Sequence, residues 1–227
     1  MDKRKRGILY GCAIGDGGIY LDKNQASSTA RLIIGHGPNQ LEYLKYKQHL
    51  LQSILGGKKP SLYTYKSLNK KTGKTYTNHQ IYKNHNYFRQ MHRVLYPEGS
   101  FKYSEKMLSY LTDHSLAIWY MDDGSGSISK NNKTKKPCGC MTRLSTYCSK
   151  EEAELLKEWF YNKYKLNAKF DVDKRSDKYS LRFNTKDSRE FVSIVSPYMF
   201  QPLKYKIEHV DKYSPRVPDT LRGEDIV

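Results

Sequence analysis

The chain has no run of about 18 apolar residues, the length a helix needs to cross a bilayer, so nothing in it reads as a transmembrane segment. No export signal is expected either. The start, MDKRKRGILYGCAIGDGG, is basic, but its apolar stretch is short and runs into Asp16, which reads as structure and not as a cleaved leader. Cysteine is scarce, limited to Cys12, Cys138, Cys140 and Cys148. The CGC at 138–140 has no second CxxC or HxxxH partner at zinc spacing, so free thiols in a reducing compartment are expected. Acidic residues are in deficit, 23 against 40 Lys and Arg, for a formal charge of +17. No basic amphipathic helix with one clean apolar face stands out, which argues against a membrane as the partner. A charge excess spread along the whole chain repels itself in the folded state and is most simply balanced by a polyanion.

What is present is aromatic bulk and a repeated order of elements. Twenty Tyr and 7 Phe offer core material although only 37% of the 227 residues are hydrophobic. That length holds one large domain or two halves of roughly 100 residues each. LYGCAIGDGGI (9–19) is an apolar, small-residue helical stretch ending in Asp16 and glycines. Strand-like runs at 18–24 and 28–37 follow, then a helix over 38–57 opened by proline and closed by a glycine pair. Strands at 61–67 and 77–84 flank the turn-rich NKKTGK, and a short helix over 86–97 stops at Pro97. LAIWYMDDGSG (116–126) begins the same order again. Beyond it lie the basic loop NNKTKKP (131–137), a strand at 140–148, and a helix opened by the capping box Ser149–Glu152. Strands at 169–174 and 179–185 then surround the turn RSDK, and a last helix ends near Pro197. The predicted fold class is therefore α+β, two pseudosymmetric αββαββα halves, with boundaries at 1–100 and 113–227 and a linker over 101–112.

An unpaired carboxylate is costly to bury, so acids at the ends of apolar helices need partners or a ligand. Two like halves suggest pseudo-twofold packing that brings both acidic ends to one axis. Gly11, Ala13 and Gly15, facing Ala117, are small enough to let the two helices approach. A single Asp-Gly pair is as easily a turn; two in matching surroundings point to a site. Carboxylates sharing an axis repel unless cations sit between them, and oxygen ligands suit Mg²⁺. Two such metals, about 4 Å apart, can stabilise both the attacking and the leaving oxygen of a phosphodiester.

LYGCAIGDG (9–17) and LAIWYMDDG (116–124) resemble the two motif copies of the LAGLIDADG homing endonucleases, single-chain two-motif type. The second matches at Leu116, Ala117, Asp123 and Gly124, the first at Leu9, Gly11, Asp16 and Gly17, with departures at Cys12 and Ile14. The αββαββα order extends the likeness over roughly residues 7–210. The resemblance implies a monomer with motif helices packed at the interface of the halves and a four-stranded antiparallel saddle from each half on double-stranded DNA. It implies that Asp16 and Asp123 are catalytic and hold Mg²⁺ or Mn²⁺, with Gly15 and Asp122 in the same metal group. Asp122 would stand behind the metal or face solvent. It further implies a basic residue after the last helix of each half, Lys206 in the second and Lys102, with Lys106 as rival, in the first. A metal-dependent double-strand break is the implied activity; a maturase acting on intron RNA or a non-cleaving binder is the alternative.

A twisted antiparallel ribbon fits the major groove, and alternate strand residues face it. Tyr63 and Tyr65 against Leu62 and Thr64, and Arg182 and Asn184 against Leu181 and Phe183, fit that alternation, as do Arg143 and Ser145 about Leu144 and Gln80 and Tyr82 about Ile81. Arg31 and Lys169 are further candidates, and the two lysine-rich loops are expected on phosphates. With no export signal, the expected setting is intracellular: bacterial or phage-host cytoplasm, or an organelle matrix. The charge excess predicts that affinity for duplex DNA falls steeply with salt, because many phosphate contacts release many counterions. A flat log–log plot from a filter-binding titration would remove the extended basic surface.

Overall fold

In the computed structural model, which describes residues 1–21 and 29–213, two helices are buried around their whole circumference. They are α1 (Lys3–Ile14), buried from Gly7 onward, and α5 (Asp113–Asp123), buried from His114 to Met121. A helix apolar on every side belongs in a core, and these two pack on each other at the centre of the molecule. Gly7, Gly11 and Gly15 recur every fourth residue and so share one face of α1. A Cβ on Gly11 would lie 2.8 Å from the Ser115 carbonyl oxygen, and one on Gly7 would lie 2.9 Å from that of Tyr110. One on Gly15 would overlap the Asp122 carboxylate. The approach thus runs through Gly7, Gly11 and Gly15 against Ser115 and Asp122, a stripe with the helical period. Ala13 and Ala117, the other small residues expected there, are buried as well.

Each central helix feeds one antiparallel sheet. After α1 come β1 (Gly17–Tyr20), β2 (Ala30–His36), α2 (Leu41–Leu55), β3 (Ser61–Leu68), β4 (Thr75–His85) and α3 (Asn86–Leu95), with sheet order β1-β2-β4-β3. After α5 come β5 (Gly124–Lys130), β6 (Pro137–Cys148), α6 (Lys150–Tyr164), β7 (Ala168–Asp173), β8 (Lys178–Phe183) and α7 (Thr185–Val195), with order β5-β6-β8-β7. The α+β class and the two αββαββα halves of the sequence reading are what the structure has. Ser149 and Glu152 form the expected reciprocal cap at the start of α6. The stretch between the halves is not plain linker: α4 (Glu105–Tyr110), capped by Ser104, occupies it and packs on α1 and α3. A 3₁₀ turn over Gln201–Lys206 and a short α8 (Glu208–Asp211) close the described chain. Residues 22–24 of the expected first strand, residue 28 of the second and residues 214–227 of the expected second half lie outside the described residues.

Helices cover one face of each sheet and leave the other open. Ile19, Leu32, Ile34 and Ile81 point inward from the first sheet; Leu144, Leu181 and Phe183 do so from the second. Strand β3 departs from the expected alternation. Leu62 is 38% exposed and Thr64 is exposed too, because β3 is an edge strand paired with β4 alone and lies beyond the cover of the helices. All four cysteines are free. No helix among the described residues is long and apolar enough to cross a membrane.

Overpacking the central contact should be costly. Gly11→Val is expected to lower stability by about 1–3 kcal/mol, read from urea unfolding, because the new side chain meets backbone that cannot rotate away. A variant as stable as the parent would show that α1 and α5 can separate.

Candidate active site

The two central helices end side by side. Helix α1 stops at Ile14, where the Gly15 N–H closes on the Gly11 carbonyl, and the chain turns at Asp16 into β1. Helix α5 runs to Asp123 and must be followed by glycine, since a Cβ on Gly124 would overlap the Tyr120 ring. Asp122 crosses to the other half: its Oδ2 accepts the backbone N–H of Asp16 at 3.0 Å. Both its oxygens accept from the Lys47 ammonium at 2.7 Å, and both side chains are fully buried. Asp122 therefore does not face solvent. Removing one member of such a buried pair costs about 3–5 kcal/mol, because the other charge is left without compensation.

His36, at the end of β2, connects this pair to Asp16. Its Nε2 lies 3.2 Å from the Lys47 ammonium, while its Nδ1 lies 3.1 Å from Gln40 Oε1 and 3.3 Å from Asp16 Oδ2. Ligand-capable atoms of Asp16, His36 and Asp122 all fall within 4.8 Å of one another. Burial first, then the neighbouring lysine, lowers the His36 pKa to about 4, so its imidazole is neutral. Asp123, half-buried, joins the same field. Burial, followed by the charges of Asp122 and Asp16, raises its pKa to about 7. Asp16 is raised as well, by burial and then by Asp122, although its side chain keeps 37% exposure. Lys206 ends the 3₁₀ turn after α7, and its ammonium donates to the carbonyls of Met121 at 2.6 Å and Asp122 at 3.3 Å. Burial lowers its pKa, and the three aspartates pull it back up. Its own carbonyl accepts from the Tyr120 hydroxyl at 2.8 Å, which fixes the backbone there.

Asp16, Gly15, Asp122, Asp123 and Lys206 are thus gathered at one place. Lys102 is not with them: it pairs with Glu98 on the surface and also feels Glu152. Its rival Lys106 is exposed on α4 and lines a separate surface cavity with Arg6 and Tyr110. Sequence reasoning missed Lys47 and His36. A signal for Lys47 existed, since a lysine between Leu44 and Leu51 interrupts the buried stripe of α2.

The open face of the first sheet carries Tyr63 and Gln80 as direct partners, Tyr65 opposite Asn78, and Arg31 opposite Asn84. Tyr63 and Tyr82 stack at 5.2 Å with their hydroxyls 2.9 Å apart, and Arg31 lies over the Tyr82 ring. On the second sheet Ser125, Arg143, Arg182 and Lys169 form one row across four strands. Asp171 sits between the arginines, 3.0 Å from Arg182 Nε and 3.5 Å from Arg143 Nε, ion pairs without hydrogen-bond alignment. Ser145 lies within the irregular stretch between Leu144 and Cys148 where the β6–β8 register breaks. Asn184 falls past the end of β8 and caps α7, its side chain accepting the Asp187 N–H.

A sequence profile described as the LAGLIDADG DNA endonuclease family matches residues 6–191. Among curated proteins, "Protein RecA" of Mycolicibacterium flavescens is 26% identical over 205 residues, covering 88% of this chain and 45% of the relative. "Probable intron-encoded endonuclease 1" of Wickerhamomyces canadensis is 35% identical over 101 residues, 44% of this chain and 42% of its own. "Cytochrome b mRNA maturase bI2" of Saccharomyces cerevisiae is 27% identical over 212 residues, covering 88% and 46%. The chain spans about half the length of the curated relatives it matches. Among solved structures, the homing endonuclease I-WcaI bound to its DNA recognition sequence superposes with a TM-score of 0.74 at 24% identity, over 91% of this chain and 86% of that one. A variant of I-DmoI in complex with its target DNA in the presence of Mg gives a TM-score of 0.51 at 18% identity, over 86% and 96%.

The raised Asp123 pKa makes a directional prediction. Folded Asp123 holds its proton more tightly than unfolded Asp123, so the folded state binds more protons between about pH 4 and pH 7 and this contribution to stability declines as pH rises through that window. In chelator, Asp123→Asn should lose less stability than the parent between about pH 5 and pH 8, by urea midpoints. Equal losses would contradict the shared field of the acids.

Proposed function

This chain belongs to the LAGLIDADG DNA endonuclease family, and on that footing we propose that it is a homing endonuclease that makes a double-strand break at one long DNA site. The observation that carries the reading is the meeting of the α1 and α5 ends. Asp16 and Asp123 sit in one electrostatic field, between two sheets whose open faces carry tyrosines, arginines and lysines. The donor set fits a hard divalent cation. It offers carboxylate oxygens, one of them on a partly exposed side chain, whose pKa values are raised by burial and then by the charge of Asp122. Asp16 and Asp123 would hold Mg²⁺ or Mn²⁺, with Gly15 beside them. When bound, such a cation supplies Lewis acidity and charge neutralisation at the phosphodiester.

The protein's own groups do the rest. Lys206, tied to the carbonyls of Met121 and Asp122, presents a desolvated ammonium beside the acids, suited to charge that develops on the scissile phosphate. Lys102 serves the surface around Glu98 unless DNA draws it in, and so contributes backbone affinity. Arg31, Tyr63, Tyr65, Gln80 and Tyr82 from one half, and Arg143, Ser145, Lys169, Arg182 and Asn184 from the other, line the proposed duplex track, where side chains can meet base edges. One chain brings both acid-bearing ends, so it acts as a monomer. The 27% identity to a cytochrome b mRNA maturase over 88% of this chain supports a second reading, an RNA maturase binding intron RNA, and the two jobs are compatible on one surface.

Supercoiled plasmid carrying the gene's own insertion junction, incubated with Mg²⁺, should be linearised by the parent protein. Asp16→Asn and Asp123→Asn should each abolish linearisation while retaining DNA affinity in a gel-shift assay. Full cleavage by either variant would refute the assignment of that aspartate. A parent that binds the junction without cutting it would leave the maturase reading in place.

A further inference from the structure

Lys47 and Asp122 are two buried positions at the axis, among the described residues, where the charge pattern of the halves departs from the pseudo-twofold. Asp122 and Gly15 are equivalent, each preceding the terminal aspartate of its motif. Counted from the first residues of α2 and α6, Leu41 and Lys150, Lys47 is equivalent to Leu156, and both are fully buried. One half therefore carries an acid where the other has glycine, and the other carries an ammonium where the first has leucine. The two departures meet in a single ion pair across the axis, and Gly15 leaves the space that the Asp122 carboxylate fills.

The three N–H bonds of the Lys47 ammonium are all engaged: Asp122 Oδ1 and Oδ2 at 2.7 Å and His36 Nε2 at 3.2 Å. An ammonium has no lone pair, so His36 Nε2 must accept and Nδ1 must carry the proton. That proton faces Gln40 Oε1 at 3.1 Å and Asp16 Oδ2 at 3.3 Å. Of the three residues clustered as a metal group, His36 and Asp122 are thereby occupied, and Asp16 is held by a donor on its flank.

We propose that Lys47 is the positioning residue of the acid cluster: it stands in for a cation at Asp122, fixes His36 as the Nδ1–H tautomer that orients Asp16, and leaves Asp16 and Asp123 as the carboxylates open to a divalent ion. This rests on the nuclease reading for the identity of the ion-holding acids, but the arrangement itself is a property of the metal-free protein. An acid cluster of this charge would otherwise draw cations into a fully buried spot behind the reactive surface. With Lys47 in place, that spot is closed.

The test uses the full chain labelled with ¹⁵N-histidine, in chelator near neutral pH. The His36 signal, assigned by its loss in His36→Asn, should report an imidazole protonated at Nδ1 alone. A signal from the Nε2–H tautomer or from the imidazolium overturns the proposal. Lys47→Met alone should be destabilised, and Lys47→Met with Asp122→Asn, which removes both charges at similar volume, should regain that stability. The double variant should nevertheless lose the Nδ1–H signature, bind Mn²⁺ about tenfold or more weakly by electron paramagnetic resonance, and cut plasmid more slowly at unchanged DNA affinity. Retention of the His36 signature and of Mn²⁺ affinity would reduce Lys47 to one member of a core ion pair. If the parent cuts no plasmid, the nuclease reading fails while the nitrogen spectrum still decides the role of Lys47.

Discussion

Two helices that touch through glycine backbone deliver three carboxylates to one spot, and the rest of the molecule is arranged around making that bearable. Gly7, Gly11 and Gly15 let α1 lie against α5, so that the Asp16 amide reaches Asp122 across the axis. Burial raises the pKa of Asp16 and of Asp123, and the charge of Asp122 beside them adds to the effect. Lys47 neutralises the deepest of them, and Lys206 approaches from the C-terminal side through the carbonyls of Met121 and Asp122. Asp16 and Asp123 are left underbalanced, a charge excess that the proposed divalent cation would relieve.

The two halves share an architecture but not a charge pattern. In the first, His36, held by Lys47 and Gln40, backs Asp16; in the second, the helix position equivalent to Lys47 is leucine, and Lys47 of the other half pairs with Asp122 and not with the terminal Asp123. The open sheets differ as well. The first carries a tyrosine stack with an arginine laid over it, while the second carries two arginines pinned by Asp171. An acid on so basic a face locally offsets the charge of the two guanidinium groups beside it. A pseudo-twofold framework with unlike faces can meet a site without internal symmetry.

The order of elements was legible because its signals are local. Helical spacing marked α2 and α6, the Ser149–Glu152 cap marked where α6 begins, and NKKTGK and RSDK marked hairpins. Alternation placed Tyr82, Arg182 and Arg143 on the outer faces. It failed at β3, because alternation reports a buried face and an edge strand beyond the helices has none. It overreached at Asn184, which a strand pattern includes but which caps the next helix instead.

From its sequence alone this chain determined two αββαββα halves and a polyanion as counterpart, and it marked Asp16 and Asp123 as the acids expected at the helix ends, since helix periodicity, net charge and a motif repeated at each helix end are all written in one dimension. Only the tertiary structure decided how those acids are balanced. Lys47, His36 and Asp122 are separated along the chain and meet only when α2, β2 and α5 converge, so a lysine that interrupts the stripe of α2 acquires its meaning from a partner on a distant helix. Lys102 differs, since its partner Glu98 is only four residues away; what the tertiary structure decided there is that this pair lies apart from the acids. Pairing of buried charges is a property of distance in space, and distance in space is what local pattern does not carry.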